Sequence, residues 1–149
     1  MSKSTQDKDA AAIRLALALK RLLARLSEEA PASSTSLSFP QLSILQFLHV
    51  NGPVTAAALA VAEHITQQAI TQSIIPLKSE GFIEPEPDPD DGRKTLLRLT
   101  DAGNQAREAT IAERNAWLVQ AIDATIKTRE RPALFRAIEL LERLADVED

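Results

Sequence analysis

The sequence predicts a mainly α-helical protein with one small β-hairpin, and three observations support this fold class. Of its 149 residues, 44% are hydrophobic but 3% are aromatic, a composition typical of helices that pack through aliphatic side chains. Apolar residues recur at spacings of three and four along most of the chain, which is the periodicity of amphipathic helices. Residues 82–100 interrupt this pattern with prolines and an Asp-Asp-Gly turn. A chain of this length fits one domain.

The hairpin is predicted to occupy residues 82–100. Three prolines between positions 85 and 89 keep the backbone out of the helical region. The turn Asp90-Asp91-Gly92 then leads into a second strand over residues 94–99. Because an isolated two-stranded hairpin is at best marginally stable, we expect it to pack on neighbouring helices with its loop projecting outward.

Six helices are predicted from apolar periodicity and from cap residues. Residues 1–8 are interpreted as a frayed tail and residues 30–38 as a loop of small and polar residues. Thr55, Thr66 and Thr100 are suitable N-caps, while Gly52 and Gly81 suit helix C-termini. The helices are predicted at about 9–29, 39–50, 56–63, 66–80, 100–128 and 132–147.

The third and fourth helices, separated by a short break at His64-Ile65, form a predicted helix-turn-helix. In the second of them, Ala69, Ile70, Ile74 and Leu77 make an inward stripe, and polar residues occupy the opposite side. Pro76 is expected to bend its last turn. With the hairpin directly after it, the unit is a winged helix-turn-helix.

Both terminal helices carry more apolar surface than a small monomer can cover. The first has a stripe at Leu15, Leu19, Leu22 and Leu26, and the last carries two apolar stripes. For the first helix, a core position in a monomer and half of a dimer interface are both consistent with the pattern. We expect residues 9–38 and 101–149 to be dimerisation helices within a single domain, and residues 39–100 to be the winged helix-turn-helix lobe.

Composition excludes several classes of site. There is no cysteine, and His49 and His64 do not have the spacing of metal ligands. The polar N-terminus lacks the apolar core of a signal peptide, and no stretch approaches the ~18 apolar residues of a membrane helix. We therefore expect a cytoplasmic protein without membrane association, metal or cofactor. Adjacent Asp90 and Asp91 are interpreted as a solvated turn, and no nucleophile with a base, phosphate loop or cofactor motif predicts an enzyme.

The order of elements, together with three stretches of sequence, resembles the MarR family of bacterial transcription regulators. Residues 51–60, NGPVTAAALA, are similar to the entry into that family's helix-turn-helix, and residues 66–84 to its recognition helix and first wing strand. Residues 88–103, DPDDGRKTLLRLTDAG, resemble its wing, an Asp-x-Arg followed by Leu-Thr-x-x-Gly. The resemblance implies a winged helix-turn-helix homodimer that binds double-stranded DNA at a palindromic operator, as a ligand-responsive repressor.

Roles for individual residues follow from the same resemblance. Arg93 at the wing tip would enter the minor groove next to Lys94, and Asp91 and Arg98 would hold the wing in shape. The exposed front of the recognition helix would contact DNA through Thr66, Gln67, Gln68, Thr71 and Gln72. Phe39, His49 and Trp117 are candidate contacts for a small phenolic or anionic effector, although each residue type is more often part of a core or a plain surface.

The charge distribution counts against tight DNA binding and leaves an alternative function open for the same fold. The net charge is −4, and the predicted hairpin carries three basic residues against five acidic ones. The recognition helix presents Gln and Thr where the family often has Arg or Lys. Since phosphate contacts supply most non-specific affinity, we expect weaker DNA binding with a modest electrostatic share, although Gln can read adenine. The alternative is a winged-helix dimer with weak or lost DNA binding that acts through a protein partner.

Overall fold

The computed structural model describes residues 2–28 and 37–148. Six helices and two strands follow one another along the chain, and a 3₁₀ turn, Thr128–Glu130, precedes the last helix. The predicted fold class is confirmed. The elements are α1 (Lys3–Glu28), α2 (Phe39–Asn51), α3 (Ala56–Ala62), α4 (Gln67–Ser79), β1 (Ile83–Pro87), β2 (Thr95–Leu99), α5 (Asp101–Thr125) and α6 (Arg131–Ala145).

Contacts between residues divide the chain into two compact units, residues 1–114 and 115–149. The first unit contains α1, the helix-turn-helix, the hairpin and the first part of α5. The second contains the rest of α5, the 3₁₀ turn and α6. All side chains of α6 are half-buried or exposed.

Two boundaries differ from the sequence prediction. The first helix begins at Lys3, so the described part of the expected tail is helical, because residues 3–8 hold no Gly or Pro to stop a helix. The second difference is at the C-terminus of α5, which ends at Thr125 rather than near residue 128. The predicted loop at 30–38 lies outside the described residues except at Leu37 and Ser38.

Helix starts are fixed by hydroxyl caps, and the three predicted at Thr55, Thr66 and Thr100 are all present. The Thr55 hydroxyl accepts the Ala58 N–H at 3.1 Å, and the Thr66 hydroxyl accepts the Ala69 N–H at 3.1 Å. Ser38 begins α2 with a reciprocal capping box, in which its own N–H is bound by the Gln41 side chain. Each such cap stabilises its helix by about 1 kcal/mol.

Helices α3 and α4 end in the same hydrogen-bonded motif. After α4, Gly81 has a φ of +75° and the Phe82 N–H donates to the Leu77 carbonyl at 2.9 Å. After α3, His64 takes the equivalent position with a φ of +54°, and the Ile65 N–H donates to the Ala60 carbonyl at 3.1 Å. Both are Schellman motifs, and His64 accepts a left-handed conformation that glycine adopts more easily.

The core of the first unit lies where α2, α3, α4 and the hairpin meet. Ile70, Ile74 and Leu77 are buried as predicted for the inward stripe of α4. Val50, in the last turn of α2, is 68% exposed and does not belong to this core. The buried apolar cluster comprises Leu37, Ile44, Leu45, Leu48, Leu59, Ala60, Ile70, Ile74, Leu77, Phe82, Ile83, Leu97 and Ala106.

A third segment of the chain pairs with the hairpin, which the sequence did not indicate. Its strands pair antiparallel with Ile83 opposite Leu99 and Pro87 opposite Thr95. On the other edge of β2, Leu97 and Val54 exchange two backbone hydrogen bonds, of 2.8 and 3.4 Å. This single-residue bridge ties the wing to the segment between α2 and α3.

The base of the hairpin is locked to the start of α5. The Thr100 hydroxyl donates to the Gly81 carbonyl at 2.6 Å and accepts the Gly103 N–H at 3.0 Å. The Thr100 N–H donates to the Phe82 carbonyl at 3.1 Å. Gly103 lies so close to that carbonyl that an added Cβ would be 2.0 Å from its oxygen. The spacing of Thr and Gly in the Leu-Thr-x-x-Gly stretch therefore has a packing cause.

We expect Gly103→Ala to lower the free energy of unfolding by about 2 to 3 kcal/mol, because backbone atoms must move to admit the methyl group. The matched control is Gly92→Ala at the wing tip, where a Cβ meets nothing within 4 Å. It should change stability by less than about 0.5 kcal/mol. Urea unfolding of the three proteins measures both, and equal stability of wild type and Gly103→Ala would contradict the packing described above.

Candidate nucleic-acid interface

The outer face of α4 is polar and exposed. Thr66, Gln67, Gln68, Thr71 and Gln72 are all exposed, so the structure brings the five predicted recognition residues together on the first two turns. Two of their hydroxyls already have partners within the helix. Thr66 caps Ala69, and Thr71 donates to the Gln67 carbonyl at 2.8 Å. The glutamine amides are therefore the groups on this face best suited to pair with base edges.

A rigid support lies behind this face. Ile70 is fully buried and Ile74 and Leu77 nearly so, which fixes the rotation of α4 about its own axis. Pro76 lies inside the helix, where its missing N–H removes one hydrogen bond. The hydrogen bond that it removes is the one to the Gln72 carbonyl, so Thr66, Gln67, Gln68 and Thr71 lie before the affected turn and Gln72 lies at its edge.

The wing turn is shaped by aspartates. The Asp91 carboxylate accepts the Arg93 backbone N–H at 3.1 Å and lies 3.2 Å from the Arg93 Nε. The Asp88 carboxylate accepts the Asp90 N–H at 2.8 Å. These short-range bonds order the turn, as expected of Asp in such loops. The Arg93 side chain is 92% exposed, and Lys94 beside it is exposed as well.

Arg98 lies on the strand rather than at the tip. It forms an ion pair with Glu84, its partner across the hairpin, and its Nε is 3.5 Å from a Glu86 carboxylate oxygen. Its charge is therefore matched locally. The cations that the wing presents outward are Arg93 and Lys94, and Arg93 itself forms an ion pair with Asp91.

The three candidate effector contacts are not brought together within one unit. Phe39 and His49 lie at opposite ends of α2, roughly 15 Å apart along the helix. Trp117 belongs to the second compact unit. His49 is exposed, whereas Phe39 is half-buried and lines a cavity of about 370 Å³. That cavity reaches the α3–α4 turn, and its other lining residues are Pro40, Ser43, Ile44, Glu63 and Ile65.

Two buried arginines on α5 were missed by the sequence analysis. Arg107 is 7% exposed and has acceptors for its guanidinium: Gln46 at 2.9 Å and Asn104 at 2.9 and 3.1 Å. It joins α2 to α5. Gly103, Ala106, Arg107, Thr110 and Arg114 form the buried stripe of the helix. The spacing of three and four from Gly103 was visible in the sequence, but a search for apolar periodicity does not point to arginines as buried residues.

Arg107 has a counter-charge in Glu108, 3.8 Å from its Nη2, whereas no acidic side chain of the described residues pairs with Arg114. Arg114 is 6% exposed, its Nη2 donates to the Leu37 carbonyl at 2.6 Å, and its guanidinium carbon lies 4.1 Å from the centre of the Phe39 ring. Within the described part of the chain, its Nε and Nη1 have no hydrogen-bond partner. Burial lowers the pKa of the Arg114 guanidinium. A buried cation with unused donors is suited to receive an anion.

Two other kinds of site were searched for in residues 2–28 and 37–148. No helix there is long and apolar enough to cross a membrane. No cluster of three or more His, Asp or Glu side chains in those same residues could hold a metal ion.

Comparison with known proteins identifies the family. Residues 35–94 match the model of the MarR family. A helix-turn-helix-type transcriptional regulator of Mycobacterium leprae is 36% identical over 132 residues, which span 89% of this chain and 90% of that protein. The chain belongs to the MarR family. It is a transcription regulator of that family, in agreement with the resemblance of its wing and helix-turn-helix.

Solved structures agree with this MarR-family fold over nearly the whole chain. A transcriptional regulator from Pseudomonas aeruginosa superposes with a TM-score of 0.78 at 33% identity, covering 96% of this chain and 98% of that one. BpsR of Bordetella bronchiseptica, whose DNA binding is regulated by 6-hydroxynicotinic acid, gives a TM-score of 0.71 at 25% identity. The match covers 92% of this chain and 94% of BpsR.

Proposed function

We propose that this MarR-family regulator is a homodimeric repressor that reads a palindromic DNA operator. The observation that carries the proposal is the exposed face of α4, where glutamine amides stand on a rigidly packed helix. A helix of this kind fits the major groove, and Gln pairs bidentately with adenine there. The wing tip supports a second contact, with Arg93 entering the adjacent minor groove.

A homodimer explains the apolar surface of the terminal helices. In α1, Ile13 and Leu17 are 63% and 55% exposed, and in α6, Phe135 and Leu144 are 61% and 58% exposed. Monomers rarely leave so many large apolar residues in water along whole helices, and a second copy would cover them. Residues 9–38 and 101–149 are the proposed dimerisation segments. Two recognition helices would then lie about one DNA turn (~34 Å) apart.

The sparse basic surface sets how DNA is bound. Arg98 is paired with acidic residues, so Arg93 and Lys94 are the wing cations left to meet phosphates. The plot of log affinity against log salt concentration falls, and each neutralised phosphate makes its slope steeper by about 0.9. A regulator with few phosphate contacts therefore has a shallow salt slope and depends on base readout for affinity.

The direct test is selection of binding sites from a random-sequence duplex pool with purified protein. Binding of the selected site is then measured by fluorescence anisotropy, with random competitor DNA and a salt series. A competitor-resistant site with two-fold symmetry supports the proposal. The acidic wing favours the alternative of a regulator that acts through a protein partner, and failure to enrich any site would favour that alternative.

Arg93→Ala should weaken operator binding at least about tenfold, because a charge-assisted hydrogen bond contributes roughly 1.5 kcal/mol and the dimer has two wings. Lys3→Ala changes the net charge by the same amount at an exposed position far from the wing in sequence and is the matched control. Anisotropy measures affinity and light scattering measures the dimer. Unchanged affinity of Arg93→Ala would remove the wing from the mechanism.

Gln68→Ala should cost more affinity for the selected operator than for random DNA. Loss of one bidentate base contact costs about 1 to 3 kcal/mol, whereas non-specific binding depends on phosphates that Gln68 does not neutralise. Competition titrations of wild type and variant on both DNAs give the two losses. Equal losses would mean that Gln68 does not read bases.

We further propose that an anionic effector binds at Arg114. An unpaired buried cation is costly, and an anion would supply both the missing charge and the missing acceptors of Nε and Nη1. Arg114 contacts Phe39 on α2, the helix that packs behind the helix-turn-helix. The effector of BpsR, 6-hydroxynicotinic acid, supports aromatic carboxylates as the ligand class. Binding would shift the population of conformations that differ in DNA affinity.

With 6-hydroxynicotinate at 100 times its dissociation constant, the free energy of unfolding of the wild type should rise by about 2.7 kcal/mol. This corresponds to a rise of roughly 5 to 10 °C in melting temperature. Arg114→Met should lose this shift. Without ligand, its stability should fall by no more than about 1 kcal/mol, because the lost contacts are offset by removal of an unpaired charge.

Arg136→Met, which removes an exposed cation paired with Glu139, is the control and should keep the full shift. Differential scanning fluorimetry with 6-hydroxynicotinate and with benzoate measures the shift in melting temperature of both variants. A shift of equal size in Arg114→Met would show that the anion binds elsewhere.

A further inference from the structure

An exposed isoleucine interrupts the polar outer face of α4. Ile75 is 61% exposed, although its neighbour Ile74 is buried in the core at 5% exposure. Helical geometry places Ile75 on the same face as Gln68, Thr71 and Gln72, because the four residues follow at spacings of three, one and three. Neither the packing of α4 nor its capping uses this side chain.

Four residues at this spacing are enough to read several consecutive bases. Homeodomain recognition helices contact base edges through four positions with the same intervals of three, one and three. Ile75 would be the fourth and lies roughly 10 Å along the helix from Gln68. It precedes Pro76, so it belongs to the part of α4 in front of the proline.

Apolar side chains recognise one feature of a base pair in the major groove. Thymine carries a C5 methyl group there, and cytosine, adenine and guanine present no equivalent group. An isoleucine has no hydrogen-bonding atom with which to read any other base edge. The wing contributes little positive charge. Contact between α4 and such a methyl group would also add affinity that does not depend on salt.

We propose that Ile75 selects a thymine in each half-site by contact with its C5 methyl group. This proposal rests on the DNA-binding function proposed above. It makes Ile75 a specificity-determining residue that acts beside the glutamines: Gln68 and Gln72 pair with hydrogen-bonding edges, while Ile75 covers the methyl group.

Uracil substitution tests this contact directly, since uracil pairs as thymine does but lacks the methyl group. Each thymine of the selected operator is replaced symmetrically in both half-sites, and affinity is measured for wild type, Ile75→Ala and Val61→Ala. Val61 is also exposed, at 77%, but it lies on α3 and is the matched control. Circular dichroism checks that both variants fold.

At one thymine position, wild type and Val61→Ala should lose about fourfold per half-site, the equivalent of one buried methyl group. Ile75→Ala should bind the thymine operator more weakly and lose nothing further when that position becomes uracil. If every uracil costs the same in Ile75→Ala as in wild type, the methyl contact does not exist and the proposal is overturned while DNA recognition stands. If wild type enriches no site from the random pool, the proposed DNA-binding function and this inference fall together.

Discussion

The close approach of Gly103 to the Phe82 carbonyl is the contact on which the arrangement of the site depends. Phe82 lies between the end of α4 and the start of β1, and Gly103 is in the first turn of α5. Thr100 completes the junction by bonding to both Gly81 and Phe82. Helix α4, the hairpin and α5 are thus joined within a few ångströms, so the angle between α4 and the hairpin is set by backbone packing rather than by side-chain charge.

Much of this architecture could be predicted from the sequence because it is encoded locally. Hydroxyl residues at helix starts, glycine after α4 and prolines in the hairpin each act on the few residues around them. The same locality explains the five polar residues on α4, whose exposure follows from a buried stripe with a clear period. Caps and stripes together determine which way the recognition helix faces.

The features that were missed are non-local. The bridge between Val54 and Leu97 joins single residues from distant parts of the chain, and no periodicity precedes it. The buried face of α5 contains Arg107 and Arg114, which hydrophobic patterning assigns to solvent. Arg107 is buried because Asn104, on the preceding turn of α5, and Gln46, on α2, supply its acceptors, and the contact with Gln46 becomes visible only when the two helices are placed together. The contacts of Arg114 with Leu37 and Phe39 were hidden for the same reason.

The two ends of the wing are ordered by different kinds of contact. Its base is held by residues from α4, α5 and the segment before α3, whereas its tip is shaped by aspartates that bond within two residues of themselves. A change of composition at the tip that keeps its length therefore leaves the contacts at the base untouched. The fold therefore tolerates substitutions at the tip, where each turn bond reaches only two residues, while substitutions at the base are constrained by every element that meets there.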